Sequence, residues 1–291
     1  MRKITIKNKI KELKPVIWIK SIFMVLIGLE TTRFGVGIGR VKINVYYGSF
    51  IFVLIAISGM IVVFLLKEKP RDEKARSIDM VIITFSVLFY GIAFGLAVYH
   101  TIAYNLESLN LFLLAFVGIF WFLSLYYGRD WKYKAILKNI IISVSFSFGL
   151  IYGASLNTTL IPTIIYLFFG AVFLLQISKD LINECKHIDR EDKESFMSIA
   201  IIIGEEKSQK LSMILDILII LFLIIPIFPD FPNIFAQTFY MIVIVITIAF
   251  LGASAFLTFR MNAEKKYYRI VKILLRCGMF LIFLAFILAN F

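Results

Sequence analysis

Long apolar blocks, separated by short polar segments, run along the whole 291-residue sequence. A transmembrane helix needs about 20 predominantly apolar residues, and nine blocks are close to that length. A membrane barrel would show alternating segments of about ten residues instead. The sequence therefore predicts an all-α, polytopic membrane helical bundle with about nine transmembrane helices, in a single domain over residues 1–291. The blocks lie approximately at residues 16–34, 43–66, 79–103, 109–127, 137–155, 159–179, 211–229, 234–259 and 270–290.

Composition agrees with a membrane protein. The chain is 60% hydrophobic and 17% charged, whereas about a quarter of the residues in soluble domains are charged. Its two cysteines, Cys185 and Cys277, lie far apart and belong to no CxxC pair. Their spacing therefore indicates neither a disulfide framework nor a thiolate metal site.

Basic residues are distributed unevenly among the segments between the blocks. Of the 31 Lys and Arg residues, 26 lie in the N-terminal segment or near the connections after the second, fourth, sixth and eighth blocks. The alternate connections hold only Arg33, Arg40 and Lys42. Because cytoplasmic segments are enriched in Lys and Arg, we predict a multi-pass cell-membrane protein with its N-terminus in the cytoplasm and its C-terminus outside. Topology and anionic membrane lipids then explain the net charge of +12, and no nucleic-acid partner is needed.

Acidic residues gather after the sixth block, where residues 180–206 hold eight of the nineteen Asp and Glu residues. If the sixth helix continues there, Asp180 and Glu184 share one face, with Asn183 beside them and His187 one turn further. Oxygen ligands one turn apart can hold Mg²⁺, which keeps several waters and bridges to phosphate oxygens. A connection of about thirty residues is also more often functional than passive. A solvated charged hairpin is the alternative, because most charge runs are solvated faces.

Three stretches resemble motifs of the UbiA superfamily of intramembrane prenyltransferases. KDLINECKHIDREDKESFMSIAIIIGEEKSQKLS is similar to the family's second signature, in which a Lys-Asp pair opens an acidic motif and Gly-Glu-Glu-Lys follows. YYGRDWKYKAILKNIIISVSFSFGLIYGA is similar to a family segment with a tyrosine, a nearby lysine, an asparagine and a closing Tyr-Gly. LKPVIWIKS is similar to the start of the family's first helix. The resemblance covers most of the chain and agrees with nine spans.

The resemblance implies a prenyltransferase that moves an isoprenyl group from a polyprenyl diphosphate to an aromatic or lipid acceptor. It also implies nine helices around a central apolar cavity that opens toward the cytoplasm. Departure of diphosphate requires its developing charge to be neutralised by metal ions and by Lys or Arg. The implied catalytic residues are Asp180 and Tyr127, the latter orienting the substrate. The implied Mg²⁺ ligands are Asp180, Glu184 and Asn183. The implied diphosphate-binding residues are Lys132, Lys134, Lys69 and Arg71.

One expected family motif is missing. The family's first signature, NDxxDxxxD, would lie at the end of the second block, where this sequence has Val62, Val63, Phe64 and Leu65. None of these side chains can ligate Mg²⁺. Two interpretations remain open: an active prenyltransferase in which loop cations replace part of the metal site, or a catalytically degenerate UbiA-like protein that binds an isoprenoid lipid or a partner without turnover.

A small-molecule transporter is the third class. Transporters of this size typically contain inverted repeats and helices broken by Gly or Pro in the membrane. No internal repeat is evident, and Pro162 and Pro226 lie near the ends of blocks.

Two isolated polar residues lie within the apolar blocks. Asp216 is expected to face a polar cavity or a partner, since intramembrane acids usually do. His100 is expected at the outer interface.

Overall fold

The computed structural model describes residues 15–33, 36–67, 73–127, 131–188, 198–227, 238–260 and 265–288, and helices are the regular structure of that part. Each predicted block overlaps a helical segment of the described residues, and the fifth is divided at Phe148. The helices are α1 Pro15–Thr31, α2 Ile38–Lys67, α3 Glu73–Ala103, α4 Leu109–Tyr127, α5 Trp131–Ser147, α6 Gly149–Ser155, α7 Thr163–His187, α8 Ile199–Ile203, α9 Glu205–Ile224, α10 Thr238–Arg260 and α11 Lys265–Leu288, with a 3₁₀ turn at Ile225–Ile227.

Within the described residues, five helical stretches are long and apolar enough to cross a membrane. They are Ile38–Val63, Met80–Ala103, Ala135–Ser155, Thr163–Lys186 and Met241–Arg260. The apolar parts of α1 and α4 are shorter, and α9 and α11 carry charged residues toward their N-terminal ends. The chain is thus an all-helical, multi-pass membrane protein, while nine crossings and the orientation of the termini stay predictions.

The chain divides into two compact units, residues 1–161 and 162–291, called here the N-terminal unit and the C-terminal unit. In the N-terminal unit, α1 packs directly on α6 through glycine. A Cβ atom added to Gly28 would lie 2.2 Å from the Leu150 carbonyl oxygen, and one added to Gly153 would lie 2.2 Å from that of Val25. Small residues allow such backbone contact between membrane helices.

Neutral side chains complete the N-terminal packing. The Asn44 amide donates to the Leu156 carbonyl at 3.0 Å, and the Asn157 amide donates to the Leu29 carbonyl at 2.9 Å. Ser58 on α2 and Ser86 on α3 exchange hydroxyl hydrogen bonds, with their oxygens 2.9 Å apart. These bonds supply partners to buried or partly buried donors.

In the C-terminal unit, α7 packs on α9 and α11, and α10 packs on α9 and α11. A carboxyl group lies at the centre of this packing. Asp216 of α9 is fully buried, and its two oxygens accept from the hydroxyls of Ser178 on α7 at 2.6 Å and Ser254 on α10 at 2.8 Å. Three helices therefore meet at one acid, which has the polar partners expected of it. The prediction of a single domain stays a prediction.

Helix α7 continues beyond the apolar block to His187, so Asp180 and Glu184 do lie on one helix. The structure corrects one expectation: with α8 and the start of α9 also helical, most of the expected thirty-residue connection is helical. Residues 189–197, with four of its acids, lie outside the described residues. His100, expected at the outer interface, is fully buried within the protein, and its ring stacks on Tyr47 with centroids 4.7 Å apart.

Candidate active site

The continuation of α7 beyond the apolar block positions the two candidate carboxylates. Asp180 and Glu184 lie one turn apart on α7, with exposed fractions of only 8% and 6%. The Gln176 amide donates to Asp180 Oδ2 at 2.8 Å, from the preceding turn of the same helix. The backbone N–H of Ile199 donates to Glu184 Oε2 at 2.9 Å. Both acids are therefore buried and oriented by neutral donors, unlike the side chains of a solvated hairpin.

Glu184 also fixes the short helix α8. Ser198 caps α8, and its hydroxyl accepts from the Ile201 N–H at 3.3 Å. The carboxylate of Glu184 accepts from the Ile199 N–H of the same first turn. A carboxylate at a helix N-terminus is favoured by the free N–H groups there. The segment that precedes Gly204 is thus attached to the acidic end of α7.

Gln176 links a lysine to the first carboxylate. Lys179 Nζ donates to Gln176 Oε1, while the other end of that amide donates to Asp180. The side chain thereby fixes the orientation of the Asp180 carboxylate. Sequence reasoning did not single out Gln176, although its position four residues before Asp180 was the available signal.

Helix α11 contributes two further side chains. Lys272 Nζ donates to Asn183 Oδ1, and Tyr268, one turn earlier, donates its phenolic hydrogen to Glu205 Oε1. Gln209 in turn donates to the Tyr268 oxygen. Burial, together with the hydrogen bond to Glu205, raises the pKa of the Tyr268 phenol and keeps it a donor. The sequence did not indicate that α11 contacts the acidic segment.

The chemistry of Asp180 and Glu184 is that of candidate ligands for one Mg²⁺ ion. Among the described residues no cluster contains three or more His, Cys, Asp or Glu side chains placed for a metal. Asp180 and Glu184 supply two carboxylates, and Mg²⁺ commonly takes one or two of these with waters and phosphate oxygens. The third predicted ligand, Asn183, has its amide oxygen bonded to Lys272. A metal role for Asn183 would require that bond to be exchanged.

Several predicted residues lie outside the described part of the structure. Tyr127 ends α4 and Lys132 and Lys134 begin α5, but their side chains fall outside it. Lys69 and Arg71 lie outside the described residues altogether. At the missing first motif, Val62 and Val63 are described and both are buried in the N-terminal unit. They pack as apolar core residues.

The helical spans define an integral membrane protein. Its candidate polar site is a buried carboxylate pair at the end of α7, which runs past the apolar block. A family model described as the UbiA prenyltransferase family matches residues 75–287. The chain belongs to that family. A curated relative, the digeranylgeranylglyceryl phosphate synthase of Methanosphaera stadtmanae, is 25% identical over 164 residues, which cover 56% of this chain and 58% of the relative. The match thus spans less than two thirds of that protein.

Solved structures share the fold at low sequence identity. A structure of digeranylgeranylglyceryl phosphate synthase has a TM-score of 0.70 at 16% identity, covering 97% of this chain and 99% of that one. A UbiA homologue from Archaeoglobus fulgidus bound to DMAPP and Mg²⁺ has a TM-score of 0.58 at 11% identity, covering 94% and 97%. An apo UbiA homologue from Aeropyrum pernix K1 has a TM-score of 0.57 at 13% identity, covering 90% and 96%.

Proposed function

We propose that the protein is a membrane prenyltransferase that transfers an isoprenyl group from a polyprenyl diphosphate to a hydrophobic acceptor. The observation that carries the proposal is the buried pair Asp180 and Glu184. Burying a carboxylate costs free energy unless a partner compensates it, and here each acid has a neutral hydrogen-bond donor. The Mg²⁺ ion of a Mg²⁺–diphosphate ligand would supply a positive charge that suits these acids.

The roles of the residues follow from the charge of the donor. Asp180 and Glu184 hold the metal-bearing side of the diphosphate, with Gln176 keeping Asp180 oriented. When bound, Mg²⁺ neutralises charge that develops on the departing diphosphate. The cations Lys132 and Lys134 hold phosphate oxygens, as do Lys69 and Arg71, and Tyr127 orients the substrate. Lys binds phosphate as a point charge and Arg binds it in bidentate fashion.

The reaction needs an environment with little water. The allylic C–O bond breaks, the diphosphate leaves with the electron pair, and the acceptor attacks the allylic carbon as it loses a proton. An apolar surrounding protects the allylic cation from hydrolysis. The apolar helices of the bundle supply such walls, and they would let a long prenyl chain extend toward the bilayer.

The acceptor is proposed to be a lipid. The curated relative is named for a glyceryl phosphate that carries two geranylgeranyl groups, so a glyceryl phosphate lipid is the first acceptor class to test. An aromatic acceptor is the second class. Neither class is favoured by a side chain that the structure describes.

Turnover by the purified full-length protein tests the proposal. Labelled geranylgeranyl diphosphate is supplied with each acceptor class, with and without Mg²⁺, and the lipid product is separated and counted. Prenylated product that disappears in Asp180→Asn and persists in Glu206→Gln, an exposed acid of α9, supports the proposal. Absence of product from every acceptor, despite tight binding of the diphosphate, would contradict it.

That last outcome would favour a second candidate function, binding of an isoprenoid lipid without turnover. The observation in its favour is the buried apolar pair Val62 and Val63, where the family's first acidic motif is expected. We rank it second because the second motif is retained with both acids buried and oriented.

A further inference from the structure

Helix α11 exposes two arginines on one stripe of its surface. Along the helix, the stripe consists of Arg269, Ile273, Arg276 and Phe280, whose spacing places them on one side. All four side chains are exposed, Ile273 to 50% and Phe280 to 66%. Large exposed apolar side chains on a membrane protein indicate contact with lipid. The two arginines therefore share a stripe that faces the bilayer.

The second of these arginines lies at the depth of a membrane span. Four residues join α10 to α11, so the two helices form an antiparallel hairpin. A Cβ atom added to Gly278 would lie 3.1 Å from Leu251 Cδ2, and Leu251 is at the middle of the span Met241–Arg260. Arg276 precedes Gly278 by two residues, which is about 3 Å along the helix axis. The backbone of Arg276 is therefore close to the level of the middle of that span.

An exposed arginine at this depth requires compensation of its charge. Charged side chains in the hydrocarbon region are costly, and they are tolerated where a partner or the polar interface compensates them. Side chains tilt toward the N-terminus of their helix, so Arg276 extends toward Arg269, whose Cα lies about 10 Å away along the axis. The aliphatic part of an arginine can stay in the apolar region while its guanidinium reaches toward the interface. Both guanidinium groups can thus approach one anion from the lipid side.

Other exposed cations of the C-terminal unit are placed differently. Arg260 is the last residue of α10 and lies over the ring of Phe256, 5.1 Å from its centroid. Lys210, in the second turn of α9, forms an ion pair with Glu206 at 2.7 Å. Each lies close to a helix end and has a partner within the protein. Arg276 is exposed far from the ends of α11, where the surrounding medium is lipid.

We propose that Arg269 and Arg276 bind the phosphate group of an anionic phospholipid from the bilayer, with an acyl chain against Ile273 and Phe280. A guanidinium group binds phosphate in bidentate fashion, so a lipid phosphate complements both the charge and the shape of the two donors. Clusters of basic residues at the membrane surface bind anionic headgroups in the same way. The site is on the lipid-facing side of α11, and the proposal does not rest on the proposed function.

Lipid binding to the full-length protein in detergent tests the proposal. Dioleoylphosphatidylglycerol is titrated, and native mass spectrometry gives the apparent Kd of the first bound lipid. Arg276→Gln keeps a polar side chain but removes the charge, and we expect Kd to rise about tenfold, which corresponds to about 1.4 kcal/mol. Arg276→Lys should recover part of the affinity, because Lys binds phosphate as a point charge. Dioleoylphosphatidylcholine, which has no net charge, should bind wild type and variants equally weakly.

Two further variants control the result. Arg260→Gln removes the same charge from the end of the neighbouring helix and should leave Kd within about twofold, because exposed surface charges contribute little. Arg269→Gln should raise Kd severalfold, and it replaces Arg276→Gln if that variant does not fold. An unchanged Kd in Arg276→Gln or Arg269→Gln would overturn the proposal. An equal rise in Arg260→Gln would do the same, because it would indicate a general effect of charge.

Other occupants of the stripe give different results. If inorganic phosphate displaces the lipid at an equal concentration of phosphate groups, the site binds a free anion and the lipid proposal is wrong. If a second copy of the chain covers the stripe, Arg276→Gln changes the oligomeric state in light scattering and leaves lipid binding unchanged. If the acceptor of the proposed reaction binds there, Arg276→Gln raises the KM for the acceptor while phosphatidylglycerol binding stays the same. Each of these results rejects the bilayer lipid, whereas absence of prenyl transfer in the wild type leaves the binding test intact.

Discussion

The two units solve the problem of polar groups inside a membrane protein in different ways. In the described residues, every buried Asp and Glu lies in the C-terminal unit, as Asp180, Glu184 and Asp216. The N-terminal unit buries hydroxyl and amide side chains and a histidine, and its helices approach through glycine. One unit is therefore built for close backbone packing, and the other retains acids at a cost in free energy.

That cost separates two kinds of buried acid. Asp216 has a hydroxyl donor on each oxygen, from Ser178 on α7 and Ser254 on α10, so it joins three helices. Asp180 and Glu184 lie one turn apart toward the end of α7, where Asp180 accepts from the Gln176 amide and Glu184 accepts from the Ile199 N–H. The first acid is explained by packing, and for the second pair we propose a ligand.

The largest effect is expected when one acid of the candidate site is neutralised without a change of shape. Asp180→Asn should lower turnover by about a hundredfold or more, about 3 kcal/mol, because the metal-bearing side of the diphosphate loses a charge. The measurement is the rate of prenyl transfer at saturating donor. Glu206→Gln, the exposed control, should retain nearly full rate, and equal rates in the two variants would show that the buried pair is not the site.

The second test addresses the N-terminal unit. Gly153→Ala places a methyl group against the Val25 carbonyl, a backbone atom that cannot rotate away, and should destabilise the protein by about 3 kcal/mol. The exposed Gly95 has open space at its Cβ position, so Gly95→Ala should be neutral or slightly stabilising. Thermal unfolding midpoints in one detergent measure both. A tolerated Gly153→Ala would mean that α1 and α6 are not in backbone contact.

Asp216 gives the corresponding stability test in the C-terminal unit. Asp216→Ala removes the acceptor of two buried hydroxyls, those of Ser178 and Ser254, and should cost about 2 kcal/mol. Asp216→Asn keeps one acceptor oxygen and should cost less. Thermal unfolding measures the loss, and turnover of the surviving folded protein should stay close to wild type. A large fall in rate without a fall in stability would move Asp216 into the active site.

Sequence alone predicted the helices better than their contacts. Apolar block length indicated where helices lie, and five of them in the described residues are long and apolar enough to cross a membrane. Hydropathy could not show that α7 continues to His187, since a helix persists where its side chains become polar. Asp180 and Glu184 could be found from their spacing and from a family motif. Lys272 could not, because its contact joins residues 89 positions apart and depends on how α11 packs.

The basic segment that contains Arg71 and Arg76 offers a test in the N-terminal unit. If cations replace the missing first motif, Arg71→Ala should lower turnover by about tenfold and make the remaining activity more dependent on Mg²⁺. Arg76→Ala, a basic residue of the same segment, is the control. Rates are measured over a Mg²⁺ titration. A sharp loss on adding EDTA to the wild type, with Arg71→Ala unaffected, would mean that the metal site alone carries the charge.

The smallest expected effect concerns an exposed acid of the C-terminal unit. The hydrogen bond from Lys210 Nζ to Glu206 Oε1, at 2.7 Å, lowers the pKa of the Glu206 carboxyl, and the charge of Lys210 adds to this. The folded protein therefore holds the Glu206 proton less tightly than the unfolded chain does. The ion pair stabilises the fold at pH values above the unfolded pKa of about 4.3. This stabilisation is lost as the pH falls through the lowered pKa of the folded protein.

Lys210→Met should therefore reduce the unfolding midpoint slightly at pH 7, and the difference from wild type should vanish in acid and in high salt. Surface pairs contribute little and are screened, so the shift should be the smallest of this series. A difference that persists at low pH or in high salt would mean that Lys210 acts through packing of its aliphatic chain. The charge of Lys210 would then not be what stabilises the fold beside the exposed acid Glu206.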